Sequence, residues 1–335
     1  MHNIGVIVIG RNEGNRLRQS LISVTGEGKT VVYVDSGSTD GSIAMARSLD
    51  IYVVELDLSI PFTAARARNA GFEYLLQVQP EIEFVQFVDG DCVVIKGWLE
   101  RAVHELTTQP DVVVVCGRRR EEFPTKSVYN RLCDVEWNTP IGEAKACGGD
   151  SMMRVAALKK VGGFNPALIA GEEPELCIRL RRNGGKILRI DAQMTLHDAQ
   201  MTRFSQWWKR SFRSGYAYAE GVWLHGRSKE RHWVKESLRC WFWAVVLPLL
   251  AVISVLPTKG LSILLALIAY TVLLYRVYKM IKNRGFQAQD ATFYALFCLL
   301  EKYPKLLGQI QFFIFRFLKR KRTIVEYKSA SSACP

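Results

Sequence analysis

Short runs of β-branched and aromatic residues at 4–9, 30–34, 51–56, 84–88 and 112–115 punctuate the first third of the chain, each close to continuously apolar rather than alternating. Strands of that kind are buried on both faces, the habit of a parallel sheet covered by helices. Helical patterns fill the stretches between them, over 16–24, 43–49, 64–78 and 97–106. Strand and helix in alternation predict a doubly wound, mostly parallel α/β sheet with helices on both faces and ligands gathered at the carboxyl ends of the strands.

Polar residues stand at those ends. Asp35 follows the second strand, and Asp89-Gly90-Asp91 follows the fourth. Two carboxylates separated by a glycine make a compact oxygen site for a hard cation such as Mg2+ or Mn2+, though the same residues also suit a polar turn that closes a strand. Arg66 and Arg68 lie near the start of the 64–78 helix, where they can face a phosphate or form a solvated basic face.

Composition narrows the partners. The 335 residues suffice for one large or two modest domains, and the net charge is +13. That charge is dense at 227–239, at 276–284 and in Lys319-Arg320-Lys321-Arg322, beside apolar segments, which favours anionic lipid over nucleic acid. No nucleic-acid partner is expected. The cysteines form no C-x-x-C pair, so their spacing suggests neither a zinc cage nor a redox motif, and they read as small buried residues in a reducing compartment. The 4–9 run is too short for a signal peptide and is followed at once by Arg11, Glu13 and Arg16, so the N-terminal part is expected to stay in the cytoplasm.

The order of several motifs resembles the family 2 glycosyltransferases of the GT-A fold. They are Arg11-Asn12-Glu13, Asp35-Ser36-Gly37-Ser38-Thr39-Asp40-Gly41, Ala67-Arg68-Asn69-Ala70-Gly71, Val88-Asp89-Gly90-Asp91, and Gly162-Gly163-Phe164-Asn165 leading to Gly171-Glu172-Glu173-Pro174-Glu175-Leu176. The resemblance implies an inverting transfer from a nucleotide-diphosphate sugar, with a UDP-sugar favoured and Mn2+ or Mg2+ as cofactor. It places Asn12, Glu13, Asp35, Arg68 and Asp89 at the donor, and Asp91, Asp89 and His197 at the metal. Glu173 becomes the general base, with Glu172 next. Two departures stand out: Ser36 replaces a second aspartate after strand two, and Glu172-Glu173 replaces the usual Glu-Asp. Asp150, Trp207 and Arg210 are expected on the acceptor side, although tryptophans in the 203–210 stretch equally suit a membrane interface.

Beyond about residue 215 the character changes. Residues 241–256 and 261–275 carry no charge, with Pro257-Thr258-Lys259-Gly260 between them. The expectation is a basic and aromatic connector over 216–240, then a transmembrane hairpin over 241–280, spanning or re-entrant. Charge at both outer ends puts the catalytic domain on the cytoplasmic face of an inner or plasma membrane. Amphipathic interfacial helices are expected over 286–322 and a disordered tail over 323–335. The acceptor is expected to be lipid-linked or a saccharide, and oligomeric state is not legible. A nucleotidyltransferase on a similar scaffold, or a non-catalytic membrane scaffold with a nucleotide-binding fold, are the competing readings.

Overall fold

The structure, a computed structural model, describes residues 3–318. They form two compact units: residues up to Phe123 with Glu136–Gln200, and Pro124–Val135 with the residues from Met201 onward.

In the first unit the elements run β1 (Ile4–Gly10), α1 (Asn15–Val24), β2 (Lys29–Asp35), α2 (Ser42–Ser48), β3 (Tyr52–Glu55), α3 (Ala64–Val78), β4 (Phe84–Asp89), β5 (Cys92–Val94), α4 (Trp98–Thr108) and β6 (Val112–Glu121). After α5 (Val128–Trp137), which is divided between the units, come β7 (Gly142–Glu143), β8 (Ser151–Arg154), α6 (Val155–Lys160), α7 (Glu172–Arg182) and β9 (Lys186–His197). The strands make one sheet in the order β3-β2-β1-β4-β8-β6-β9-β5, with β7 beside β9. Strands β3, β2, β1 and β4 are parallel, whereas β8 is antiparallel to both β4 and β6. The apolar runs of β1, β2 and β4 are buried almost throughout, as continuous strands in a covered sheet must be.

Strand β9 was not legible because polar residues interrupt it: Arg189, Asp191, Gln193 and Thr195 stand among its apolar positions. It nevertheless positions the site, since it carries His197 to the end of β5 in antiparallel register, opposite Cys92.

The second unit is helical beyond Met201. Its helices are α8 (Phe204–His225), α9 (Val234–Trp241), α10 (Leu247–Ile253), α11 (Leu261–Asn283), α12 (Ala288–Leu300) and α13 (Lys302–Phe317), with a π-helical turn over Phe242–Val246 joining α9 to α10. The boundary expected at 215 falls inside α8, which is continuous. It is held there by close packing on α13: a Cβ on Gly215 would sit 1.9 Å from the Lys305 carbonyl oxygen, and one on Gly308 2.0 Å from that of Phe212. Tyr216 meets Phe312 edge-on at 5.3 Å. One face of α13 is therefore packed against α8, and Tyr303, Leu307, Ile314 and Phe317 form its exposed side. Lys319 to Arg322 and the expected disordered tail lie outside the described residues.

Two helical segments, Val234–Ile253 and Leu261–Asn283, are long and apolar enough to cross a membrane, at 20 and 23 residues. The first starts before the expected 241, because α9 runs into the π-helical turn without a break. In the π-helical register Leu247 donates to the Phe242 carbonyl five residues back. Pro248 is next in line and has no N–H to give to the Trp243 carbonyl. The Tyr270 hydroxyl supplies that bond from α11, at 2.7 Å, and Ser262 Oγ donates to the Ala251 carbonyl at 2.7 Å.

Candidate active site

The loops after β1 and β2 fasten to each other. Asn12, with φ of 54°, donates its backbone N–H to Ser38 Oγ at 2.9 Å and accepts from the Thr39 N–H at 2.7 Å. Glu13 pairs with Arg16 at 2.6 Å. Asp35 is buried beneath this loop, where one oxygen accepts from the Tyr33 hydroxyl at 2.7 Å and the other from the Gly37 and Ser38 N–H groups at 2.8 and 2.7 Å. Burial, and then Asp35, push the Tyr33 phenol well above its usual value. Asp35 thus shapes the loop from within rather than projecting from it.

The turn after β4 is pressed against β1. The Gly90 N–H donates to the Ile9 carbonyl at 2.8 Å, and a Cβ on Gly90 would lie 3.0 Å from that oxygen. Glycine is required here for close approach rather than for an unusual φ, which refines the sequence reading. Asp89 and Asp91 leave this turn into different surroundings.

Asp89 is the middle of an alternating series of charges. Arg68, buried on α3, donates through Nη2 to Asp89 Oδ1 at 2.8 Å and through Nη1 to Glu172 Oε1 at 2.7 Å. Arg119 on β6 approaches Asp89 Oδ2 at 3.4 Å and Asp150 Oδ2 at 2.8 Å. The order is Glu172, Arg68, Asp89, Arg119, Asp150. Burial works against the Arg68 and Arg119 charges, but their acidic neighbours more than offset it and raise both guanidinium groups above their usual value. The anions that Arg68 meets are therefore the protein's own carboxylates. Asp150 has no exposed surface; it also accepts from the Asp89 N–H at 3.0 Å and from Thr195 Oγ1 at 2.8 Å, which fixes the turn from below. Gly149 leaves no room for a side chain above the same pair, because a Cβ would sit 2.8 Å from Asp89 Oδ2 and 2.9 Å from Arg68 Nη2.

Asp91 and His197 converge, with Oδ2 and Nε2 2.9 Å apart and both residues buried. Trp137 lies over the imidazole with ring centroids 4.6 Å apart. Burial, and then Arg119, lower the His197 pKa to about 4, so the ring is neutral at neutral pH. A neutral imidazole is the form that binds metal, and its buried Nδ1 has no hydrogen-bond partner among the described residues. The Asp91 carboxylate, the His197 imidazole and the Cys92 thiol lie within 4.8 Å of one another, a donor set able to hold a divalent cation, with Asp89 two residues away. Close by, Glu121 accepts from the Phe123 and Ala199 N–H groups, and its burial raises its pKa to about 7.

Glu172 and Glu173 open α7 after Gly171, whose φ is 79°. Glu172 turns to Arg68. Glu173 is 6% exposed, and its Oε1 accepts from the Cys147 N–H at 2.5 Å and from the Cys147 and Cys177 thiols at 3.0 and 2.9 Å. The neighbouring motif residues are structural. Asn69 pairs through its amide with both backbone groups of Phe164, at 2.7 and 2.9 Å, and Arg179 joins Glu175 to the Val161 and Gly163 carbonyls.

The first unit thus joins Glu172, Arg68, Asp89 and Asp150 in one charge series and sets Asp91 against His197, while Glu173 turns to Cys147 and Cys177; Asn12, Glu13 and Asp35 lie on the loops after β1 and β2. Arg119, Trp137 and Cys147 complete the surroundings and were not singled out in the sequence. Trp207 and Arg210 belong to α8 of the second unit. Trp207 is 5% exposed and packs on Phe204 and Phe297 at 5.4 and 4.9 Å, so it has no face to offer a sugar.

Comparison with known proteins agrees with this architecture. The model of glycosyl transferase family 2 matches residues 5–161. That stretch is a glycosyl transferase family 2 domain. The chain is 25% identical over 221 residues to the pre-mycofactocin glycosyltransferase of Mycobacterium tuberculosis, covering 61% of this chain but 44% of that protein, so it spans less than half of that relative's length. It is 25% identical over 237 residues to the glycosyltransferase AglE of Haloferax volcanii, covering 67% of this chain and 75% of that one. Among solved structures, the mannosyltransferase PcManGT of Pyrobaculum calidifontis, in complex with GDP-Man and Mn2+, has the same fold, with a TM-score of 0.58, 17% identity and coverage of 91% and 87%. The S. aureus TarS 1-349 fragment gives a TM-score of 0.51 at 17% identity, covering 93% and 91%. The family 2 domain therefore has the GT-A architecture, a mixed and mostly parallel sheet flanked by helices.

Proposed function

We propose that the chain transfers a sugar from a nucleotide-diphosphate donor to an acceptor hydroxyl, with inversion at the anomeric carbon. The observation that carries this reading is the convergence of Asp91 and neutral His197, within a family 2 domain whose acidic helix start reaches the neighbouring Asp89 through Arg68. Asp91 and His197 would hold a divalent cation such as Mn2+ or Mg2+, which would supply charge neutralisation for the departing diphosphate. The chain's own residues do the rest. Glu173 takes the proton of the acceptor hydroxyl as its oxygen attacks the anomeric carbon and the bond to the diphosphate breaks. Glu172, fixed by Arg68, is the alternative base. Arg119 and Arg68 hold Asp89 in place, and the loops of Asn12, Glu13 and Asp35 form the nucleotide side. The two apolar helical segments and their basic flanks support a setting at the cytoplasmic face of an inner or plasma membrane, with anionic lipid around those flanks. This setting favours a lipid-linked acceptor, with a saccharide as the other class.

The test is calorimetric binding of UDP, GDP, dTDP and ADP to the detergent-purified chain, with Mn2+ and then with EDTA. Tight binding of one diphosphate that EDTA removes is the expected outcome and selects the sugar donor for turnover. Glu173→Gln should then bind that donor normally and transfer at least about 100-fold more slowly, the scale of a lost general base. Binding that ignores EDTA, or full turnover by E173Q, overturns the metal or the base respectively.

A further inference from the structure

The loop between β7 and β8 brings Cys147 to Cys177 on α7, thirty positions along the chain, with their sulfurs 3.7 Å apart. Glu173 Oε1 lies within 3.0 Å of both. All three residues are at least nine-tenths buried, and neither cysteine is in a disulfide. A tetrahedral cation with bonds of about 2.3 Å to sulfur holds two thiolates about 3.7–3.8 Å apart. The thiols already stand at that spacing, with a carboxylate oxygen as third donor.

We infer that Cys147, Cys177 and Glu173 form a binding site for a thiophilic divalent cation of the Zn2+ class, separate in residues from the Asp91–His197 site. Binding exchanges the two thiol protons for the cation: two S–H bonds break, two metal–thiolate bonds form, and both protons go to solvent. No electron moves. The carboxylate trades two thiol donors for the metal, and the fourth position stays open to water on the Cys147 side, the one cysteine of the pair with some exposure. Donor hardness then sorts the ions. One carboxylate and one imidazole at Asp91 and His197 make a harder donor pair than two thiolates, which favour Zn2+. Because the thiols are buried and neutral without metal, no site forms until a cation displaces their protons.

The consequence for turnover rests on the proposed role of Glu173 as base. A carboxylate engaged with Zn2+ cannot accept the acceptor proton, so occupation of this site switches transfer off while the donor still binds.

The experiment titrates the full-length, reduced chain with Co2+, as a spectroscopic stand-in for Zn2+, in saturating Mn2+. Thiolate-to-cobalt charge-transfer absorption and tetrahedral ligand-field bands should appear at one equivalent, vanish on addition of Zn2+, be lost in Cys147→Ser and in Cys177→Ser, and persist in Cys116→Ser. Diphosphate binding in Mn2+ serves as the check that each variant is folded, and a cadmium NMR shift typical of two-sulfur coordination in the wild type reads the site without any variant. No thiolate bands, or bands undiminished in both cysteine variants, overturn the site. Zn2+ should abolish transfer in the wild type at concentrations that leave C177S at its own starting rate. Bands that need both cysteines, with transfer indifferent to Zn2+, uphold the site and move the base away from Glu173.

Discussion

The two units treat solvent in opposite ways. The first hides charge: Asp150 has no exposed surface, Arg68 is 3% exposed, and both lie in a run of alternating acids and bases that is only partly open to solvent, at Asp89. The second exposes hydrocarbon: Leu250, Val252, Ile253, Leu264 and Leu267 are each more than half exposed. Buried charge is tolerated only when every member is paired, so the first unit is ordered by mutual constraint around one turn. Exposed hydrocarbon on this scale is tolerated only in an apolar surrounding, so the second unit depends on what surrounds it. Chemistry resides in the part that carries its own environment, and location in the part that must find one.

The largest expected effect comes from breaking the charge series. Arg119→Met leaves Asp150 buried without its cation and should cost roughly 3–5 kcal/mol, read as a lowered denaturant midpoint of the isolated protein. A midpoint within error of the wild type would mean that the series does not hold the turn. Next is Asp91→Asn, which should reduce transfer by about 100- to 1,000-fold and weaken Mn2+-dependent diphosphate binding, with little change in stability. The second unit is probed by Leu267→Lys, a charge in an exposed helix face. It should cost roughly 3 kcal/mol of membrane insertion, measured as the fraction resisting alkaline extraction from membranes, while diphosphate binding is unaffected. An unchanged extractable fraction would remove the contrast between the units.

The smallest effect concerns pH. Glu121 has a folded pKa of about 7, above the ordinary 4.5, so it contributes a stability that is full at low pH and is lost as pH rises to about 7. His197 has a folded pKa of about 4, below 6.5, so its contribution is full at neutral pH and is lost as pH falls through that window. The two slopes oppose each other. Glu121→Gln should expose the His197 slope, up to about 1.4 kcal/mol per pH unit between pH 6.5 and 4, in chemical denaturation at several pH values. A wild type and E121Q with parallel profiles would contradict the burial of one of these groups.

Most of the sheet was legible because its strands are locally unambiguous. Those of β1, β2 and β4 are continuous apolar runs that no helix of that length competes for, and α3 spans the expected 64–78, with Thr63 accepting from the Arg66 N–H at its start. The antiparallel half was not legible: β8 has four residues and β9 alternates polar with apolar positions. The same limit applies to the site. Asp89, Asp91 and the two glutamates sit in short motifs, so their type and spacing mark them. Arg119 and Trp137 sit in no motif, and Cys147 and Cys177 meet only because the sheet closes; nothing local in the sequence pairs residues that far apart. Trp207 went the other way, since an aromatic run reads alike whether it faces a sugar, a lipid or its own core.

The hydroxyl of Tyr270 on the carbonyl of Trp243 sets how the two helices of the apolar hairpin align. A helix pair held by side chains alone can slide by a turn of about 5.4 Å and bury a similar surface in each position. This pair cannot, because one turn of slippage withdraws the phenol and leaves the Trp243 carbonyl, already deprived of its partner by Pro248, without a donor. The hairpin has a single register, fixed by a proline on one helix and a tyrosine on the other.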